Sequence, residues 1–176
     1  MTPVRTSGTA ASLRDAFDRS FAEAETPDET RYEEVLAITI AGQPYALRLS
    51  EVSALHRDRK VVPIPTREPA LLGIAAFRGT LAPVYDFATL LGCTGGSSPR
   101  CLILARGRAP VGLAFEALEG QRRVARDGIS FPAHDGTGHA HGTVRIASSV
   151  RPLIHIASVV EAIARRIEAH DPPKER

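Results

Sequence analysis

The chain has 176 residues, 43% hydrophobic and 24% charged, with a formal net charge of +2; this is an ordinary globular composition, enough for one domain or two very small ones. Twenty of its basic residues are Arg and two are Lys, scattered without the interleaved aromatics of a nucleic-acid track. Cys93 and Cys101 make no metal or redox motif, no apolar run nears the roughly 20 residues of a membrane span, and the first residues lack a secretory core, so a cytoplasmic protein with reduced thiols is expected.

Residues 1–31 stand apart. Leu13, Phe17 and Phe21 recur at helical spacing in "ASLRDAFDRSFAEAE", which predicts a short amphipathic helix with a charged outer face. Pro27 and the acidic run "AETPDET" break it and form a linker. At the other end, residues 170–176, "HDPPKER", are polar and proline-containing and read as a disordered tail.

The body, residues 32–169, reads as one pattern written twice, with subdomains near 32–94 and 98–169. "VLAITIAGQPYALRL" lies over "CLILARGRAPVGLAF" at an offset of 66, setting Leu36 on Leu102, Pro44 on Pro110 and Leu47 on Leu113. "GIAAFRGTLAPVYDFATLL" lies over "GTVRIASSVRPLIHIASVV" at 69, setting Gly73 on Gly142 and Pro83 on Pro152. Period-2 alternation in Tyr45, Leu47 and Leu49 and in Val111, Leu113 and Phe115 marks half-buried strands. Each copy therefore predicts a strand pair, a third strand, a hairpin with a proline-marked strand, and a brief helix. About five short strands per copy suit a small curled barrel that hides its edges.

Asp86 is placed to cap the first of the two helices and Gly92 to end it. In the second helix Ser158 and Glu161 have capping-box spacing, and Val160, Ile163 and Ile167 form its apolar stripe. "GCTGGSSPR" links the copies.

The segments "LAITIAGQPYALRLSEVSALHR", "VPIPTREPALLGI" and above all "FRGTLAPVYDFATLLG" resemble the CheW family of chemotaxis coupling proteins, over about Tyr32 to Ile163. Gly73, Arg78, Gly79, Pro83, Val84 and Asp86 match the family's motif residue by residue. The resemblance implies an all-β protein of two tandem, intertwined five-stranded SH3-like barrels without catalytic activity or cofactor. It implies as partners the regulatory domain of a CheA-type histidine kinase and the cytoplasmic tip of a chemoreceptor, with no direct membrane insertion. Departures fall at Ala54, where the family usually carries an acid, at Ala76, usually an asparagine, and at Phe87 and Ala88.

The repeat supplies its own argument about the hairpin. Ala147 and Ser148 stand where Arg78 and Gly79 stand in the first copy, so a shared backbone would not demand Arg-Gly. Gly79 would then serve close approach by a partner, and the guanidinium of Arg78 would meet a carboxylate or backbone carbonyls. The alternative is an internal tether from Arg78 to Asp86 or Glu51. The expected partner-binding set is Arg78, Gly79, Val52, Leu55, His56, Val84 and Asp86, with Val52 and Leu55 read as either core or interface. His134, His139 and His141 lie in a Gly-rich stretch and read as a solvated loop rather than a metal site. Cys93 and Cys101 read as small apolar residues. No Walker A loop, nucleophile elbow or zinc-protease motif is present, so no catalytic residue is expected. A small β-barrel nucleic-acid binder is the competing class.

Overall fold

Alternation of buried and exposed side chains lays out the strands. In β10 (Ala140–Ile146), Gly142, Val144 and Ile146 point inward while His141, Thr143 and Arg145 face solvent, the period of a half-buried strand. β1 (Tyr32–Ile40) differs: Val35 to Ile38 are all buried, because both of its faces are covered. The computed structural model describes residues 31–131 and 138–170; the helix predicted at Leu13, Phe17 and Phe21, the linker at Pro27 and the polar tail lie outside them.

The remaining elements are β2 (Gln43–Arg48), a 3-10 turn (Leu49–Glu51), β3 (Val52–Arg57), β4 (Leu71–Phe77), β5 (Thr80–Asp86) and α1 (Phe87–Leu90). After the linker come β6 (Cys101–Ala105), β7 (Gly112–Phe115), β8 (Ala117–Ala125), a second 3-10 turn (Arg126–Gly128), β9 (Ile129–Ser130), β10, β11 (Ser149–Ile154) and α2 (Ile156–His170).

One sheet runs β8-β1-β2-β11-β10-β9 and the other β3-β6-β7-β5-β4. The two orders are the same with the sequence copies exchanged: each copy's first hairpin is inserted into the other copy's sheet. The parallel ladders show the match. Leu153 pairs with Ala46 and Ile154 with Leu47, as Val84 pairs with Gly112 and Tyr85 with Leu113. β9, which pairs with β10, has its counterpart in an isolated bridge between Val62 and Ile74. Because β8 leads through one turn into β9 at the opposite edge, the sheet curls into a barrel, here called the first; the β3-containing sheet is the second.

The offset of 66 over the first hairpin needs correction. Leu47 corresponds to Leu113, but their partners are Leu36 and Ile103, not Leu102. The spacing between paired residues is one shorter in the second copy, which sets β1 against β6 at an offset of 67. A one-residue slip turns every side chain to the opposite face. Leu36 accordingly faces the core between the barrels, whereas Leu102 fills the second barrel.

Three cores result. Val35, Ala37, Ala46, Val124, Val144 and Leu153 fill the first barrel. Phe77, Ala82, Val84, Leu102 and Ala114 fill the second. The largest joins both sheets to both helices, through residues such as Ile38, Leu47, Phe87, Ile103, Phe115 and Ile156.

Pro83 and Pro152 each sit one residue before their parallel ladder begins. The strand still has one neighbour there, so the missing N–H breaks no bond. Asp86 does cap α1, accepting from the Thr89 N–H at 3.2 Å, and Gly92 ends it at φ +69. The helix expectations for α2 are corrected. It begins at Ile156, and Ser158 lies within its first turn, its hydroxyl donating to the His155 carbonyl at 2.8 Å. The Ile156 N–H is taken instead by Glu51, at 2.6 Å from far along the chain. The buried stripe is Ile156, Val159 and Ile163, and Ile167 is exposed.

Candidate partner-binding site

The β4–β5 hairpin stands between two grooves of the second barrel. Its turn has φ +45 at Arg78 and +88 at Gly79, the left-handed pair that matches strand twist in a two-residue hairpin. The corresponding turn has Ala147 at φ +52, while Ser148 keeps a negative φ. The two backbones therefore differ at the second position. The turn itself accounts for Gly79, whose φ of +88 favours glycine whether or not a partner approaches. Arg59 fastens the hairpin from below by donating to the Ala76 carbonyl.

On one side, β3, the hairpin and the β6–β7 loop enclose a groove of about 430 Å³, bordered by Arg78, Arg106 and Arg108 and lined by Ala54, His56 and Phe77. On the other, a shallower groove of about 560 Å³ runs past Arg57, Arg59, Lys60, Val62 and Leu81. Leu81 is 64% exposed and Val62 49%, an apolar rim beside a basic one.

The expected site residues separate on burial. Arg78, Gly79 and Leu55 are exposed and His56 is half-buried at the groove. Val84, at 0% exposure, lies inside the second barrel, and Val52, at 6%, in the core between the barrels; neither side chain can reach a partner, and both are core residues. Asp86 is half-buried and engaged as the α1 cap, its Oδ2 also accepting from Thr89 Oγ1 at 2.5 Å.

The proposed tether of Arg78 is absent as well. Glu51 is committed to the Ile156 N–H and to Arg48 at 3.3 Å. Among the described residues no ion pair involves Arg78 or Arg108.

Arg106 and Arg108 were not among the expected residues. They belong to the second sequence copy, and only the exchanged hairpin carries them to the first copy's turn. The Arg106 backbone N–H donates to the Glu51 carbonyl at 2.8 Å and its Nη2 to the Val52 carbonyl at 3.3 Å. The sequence signal was the "RGRAP" loop with its two arginines. Nε2 of His56 is buried without a hydrogen-bond partner among the described residues, and the ring tilts against Phe77 at 5.4 Å.

The histidine-rich stretch ends in order rather than in a solvated loop. His139 Nδ1 lies 3.1 Å from Ser158 Oγ, and burial, with the Arg166 charge adding to it, holds the ring's pKa down. His141 stacks on His155 with centroids 4.7 Å apart. His134 lies outside the described residues, and among those described no group of His, Cys, Asp or Glu could hold a metal. Cys101 is core, but Cys93 is more than an apolar filler. Its Sγ lies 3.5 Å from Tyr45 Oη, and this bond, helped by burial, pushes the phenol up to about 12. Among the described residues no helix is long and apolar enough to cross a membrane.

Paired β-barrels that exchange their first hairpins define the fold class. The CheW-like domain model matches residues 34–164, and the chain belongs to that family, a family of chemotaxis scaffolds in signal transduction. The structure is similar to that of the scaffolding protein TtCheW from Thermoanaerobacter tengcongensis, with a TM-score of 0.62 and 21% identity over 70% of this chain and 88% of that one. That likeness concerns the fold. No curated protein matches the sequence.

Proposed function

We propose that this protein is a non-enzymatic adaptor that couples chemoreceptor tips to the regulatory domain of a CheA-type histidine kinase in the cytoplasm. The observation that carries the reading is the Arg78 turn: an exposed charged side chain without an ion-pair partner among the described residues, on a hairpin fastened by Arg59 and flanked by two grooves. His56 lines the groove beside it, and Leu55, exposed on the same strand, is kept as a further partner contact.

Replacing Arg78 by Ala should spare the fold and damage coupling. An exposed side chain of this kind contributes within about 0.5 kcal/mol to stability. At the centre of an interface its truncation costs about 2 kcal/mol or more, a roughly thirtyfold weaker complex. The check is the variant's melting temperature beside its affinity for the kinase regulatory domain and the receptor tip. Unchanged affinity for both would remove the hairpin from the interface.

A further inference from the structure

The inference drawn from the Arg78 groove rests on the coupling reading and names the chemistry of the partner. Three guanidinium groups border that groove, and no carboxylate lines it. The acids that stand nearest in the chain are already used, Asp86 on Thr89, Glu51 on Ile156 and Arg48, Asp58 on Arg100 and Glu116 on the Gly42 N–H. Arg106 directs one nitrogen to the Val52 carbonyl, while Arg78 and Arg108 have no partner among the described residues. Ala54, on β3, lines the groove with nothing longer than a methyl group. The positive charge of the groove is therefore uncompensated within the described fold.

We infer that this groove receives an acidic segment of a partner protein, with Arg78 and Arg108 each holding one of its carboxylates. A guanidinium presents paired donors that match a carboxylate, which gives such contacts both strength and orientation. Leu81, 64% exposed, lies across the hairpin in the other groove. A nucleic-acid strand fits less well. It requires a continued cationic track and aromatic faces for its bases, whereas the aromatic ring at this groove, Phe77, is 3% exposed.

The test uses the full chain, isotope-labelled, titrated with a short peptide of alternating glutamate and valine, its lysine counterpart and oligothymidylate. The glutamate peptide should shift the Nε–H signals of Arg78 and Arg108 and the amides of Gly79 and Gly107, more weakly as salt rises. The Arg78→Glu and Arg108→Glu double variant should lose these shifts while its remaining amide spectrum stays native. Ala54→Glu, which places an acid inside the groove, should weaken the peptide about tenfold or more.

Shifts that are absent, that fall instead around Arg122 and Arg123 of β8, or that oligothymidylate produces at lower concentration would overturn the inference. The kinase domain and receptor tip separate it from the reading beneath it. If neither binds the native chain, coupling is wrong while the peptide result stands. If both bind, and bind the charge variants equally well, coupling stands and the acidic partner is wrong.

Discussion

Gly73 and Gly79 lie on the same hairpin and answer to different constraints. At Gly73, φ is +146 and a Cβ would fall 2.1 Å from the Val62 carbonyl oxygen, with more backbone, the Cα of Pro63, at 2.8 Å. The Val62 segment crosses there because it bridges Ile74 by two backbone hydrogen bonds, at 2.8 and 2.9 Å. Gly142 repeats the arrangement against Ser130, at 2.7 Å, which is why glycine recurs in both copies. At Gly79 a Cβ would meet nothing within 4 Å, and only the φ of +88 speaks for glycine. Gly73→Ala should therefore cost about 2 kcal/mol or more through backbone overlap and strain. Gly79→Ala should cost about 1 kcal/mol, the left-handed penalty alone. Urea unfolding with unchanged m-values would check both, and equal costs would mean that the Val62 segment moves aside freely.

At the scale of elements, one contact ties three strands of the first barrel. Glu119 sits at the bulge of β8, its carboxylate taking both terminal nitrogens of Arg151 on β11 at 2.8 Å and the Thr39 hydroxyl of β1 at 3.0 Å. The Arg151 hydrogen bonds hold its carboxyl pKa below the ordinary value against the opposing effect of burial. A folded-state pKa below the unfolded value, near 4.3 for Glu, adds stability that is present in full above that unfolded value and is lost as pH falls through the folded one. Because Glu119 is 36% exposed, the contribution is within about 1 kcal/mol. Glu119→Gln should melt earlier than the native chain at neutral pH, and the gap should close as the pH drops below about 4. A gap that persists in acid would assign the effect to packing.

The elements were largely legible in the sequence, and their partners were not. Alternating apolar residues announced β2 and β7, and Asp86 and Gly92 announced the ends of α1, because these signals are local. The N-cap of α2 escaped because its acceptor, Glu51, lies in the other copy, and no spacing rule reaches that far. The same remoteness hid Arg106 and Arg108. Val84 belonged to a recognisable motif, yet a motif does not say which of its members face inward; only the pairing register does. The one-residue error in aligning β1 with β6 shows how much rests on a loop length.

For the molecule as a whole, the exchanged hairpins mean that neither sequence copy owns a complete sheet. β1 and β2 complete the barrel of β8 to β11, and β6 and β7 complete that of β3 to β5. Cutting the chain between Gly95 and Gly96 should therefore leave two fragments that are unfolded apart and fold together as a one-to-one complex. Circular dichroism of each fragment and of their mixture would check this. A fragment that reaches native strand content alone would show that one copy suffices for a barrel. The intact protein should unfold in a single transition, since the largest core belongs to both sheets at once.

The exchange also sets an order in time. A chain made from its N-terminus produces β1 and β2 first, yet β8 and β11, which flank them, are made only after β7. The barrel of β3 to β7 has all its strands once Phe115 has emerged, so the half written second in space closes first in synthesis. Until Ala125 has emerged, the apolar run Val35 to Ile40 has only β2 beside it and presents an open edge, the kind that joins neighbouring chains. The acids Glu33 and Glu34, immediately before that run, are placed to keep it apart from its neighbours on a polysome while it waits.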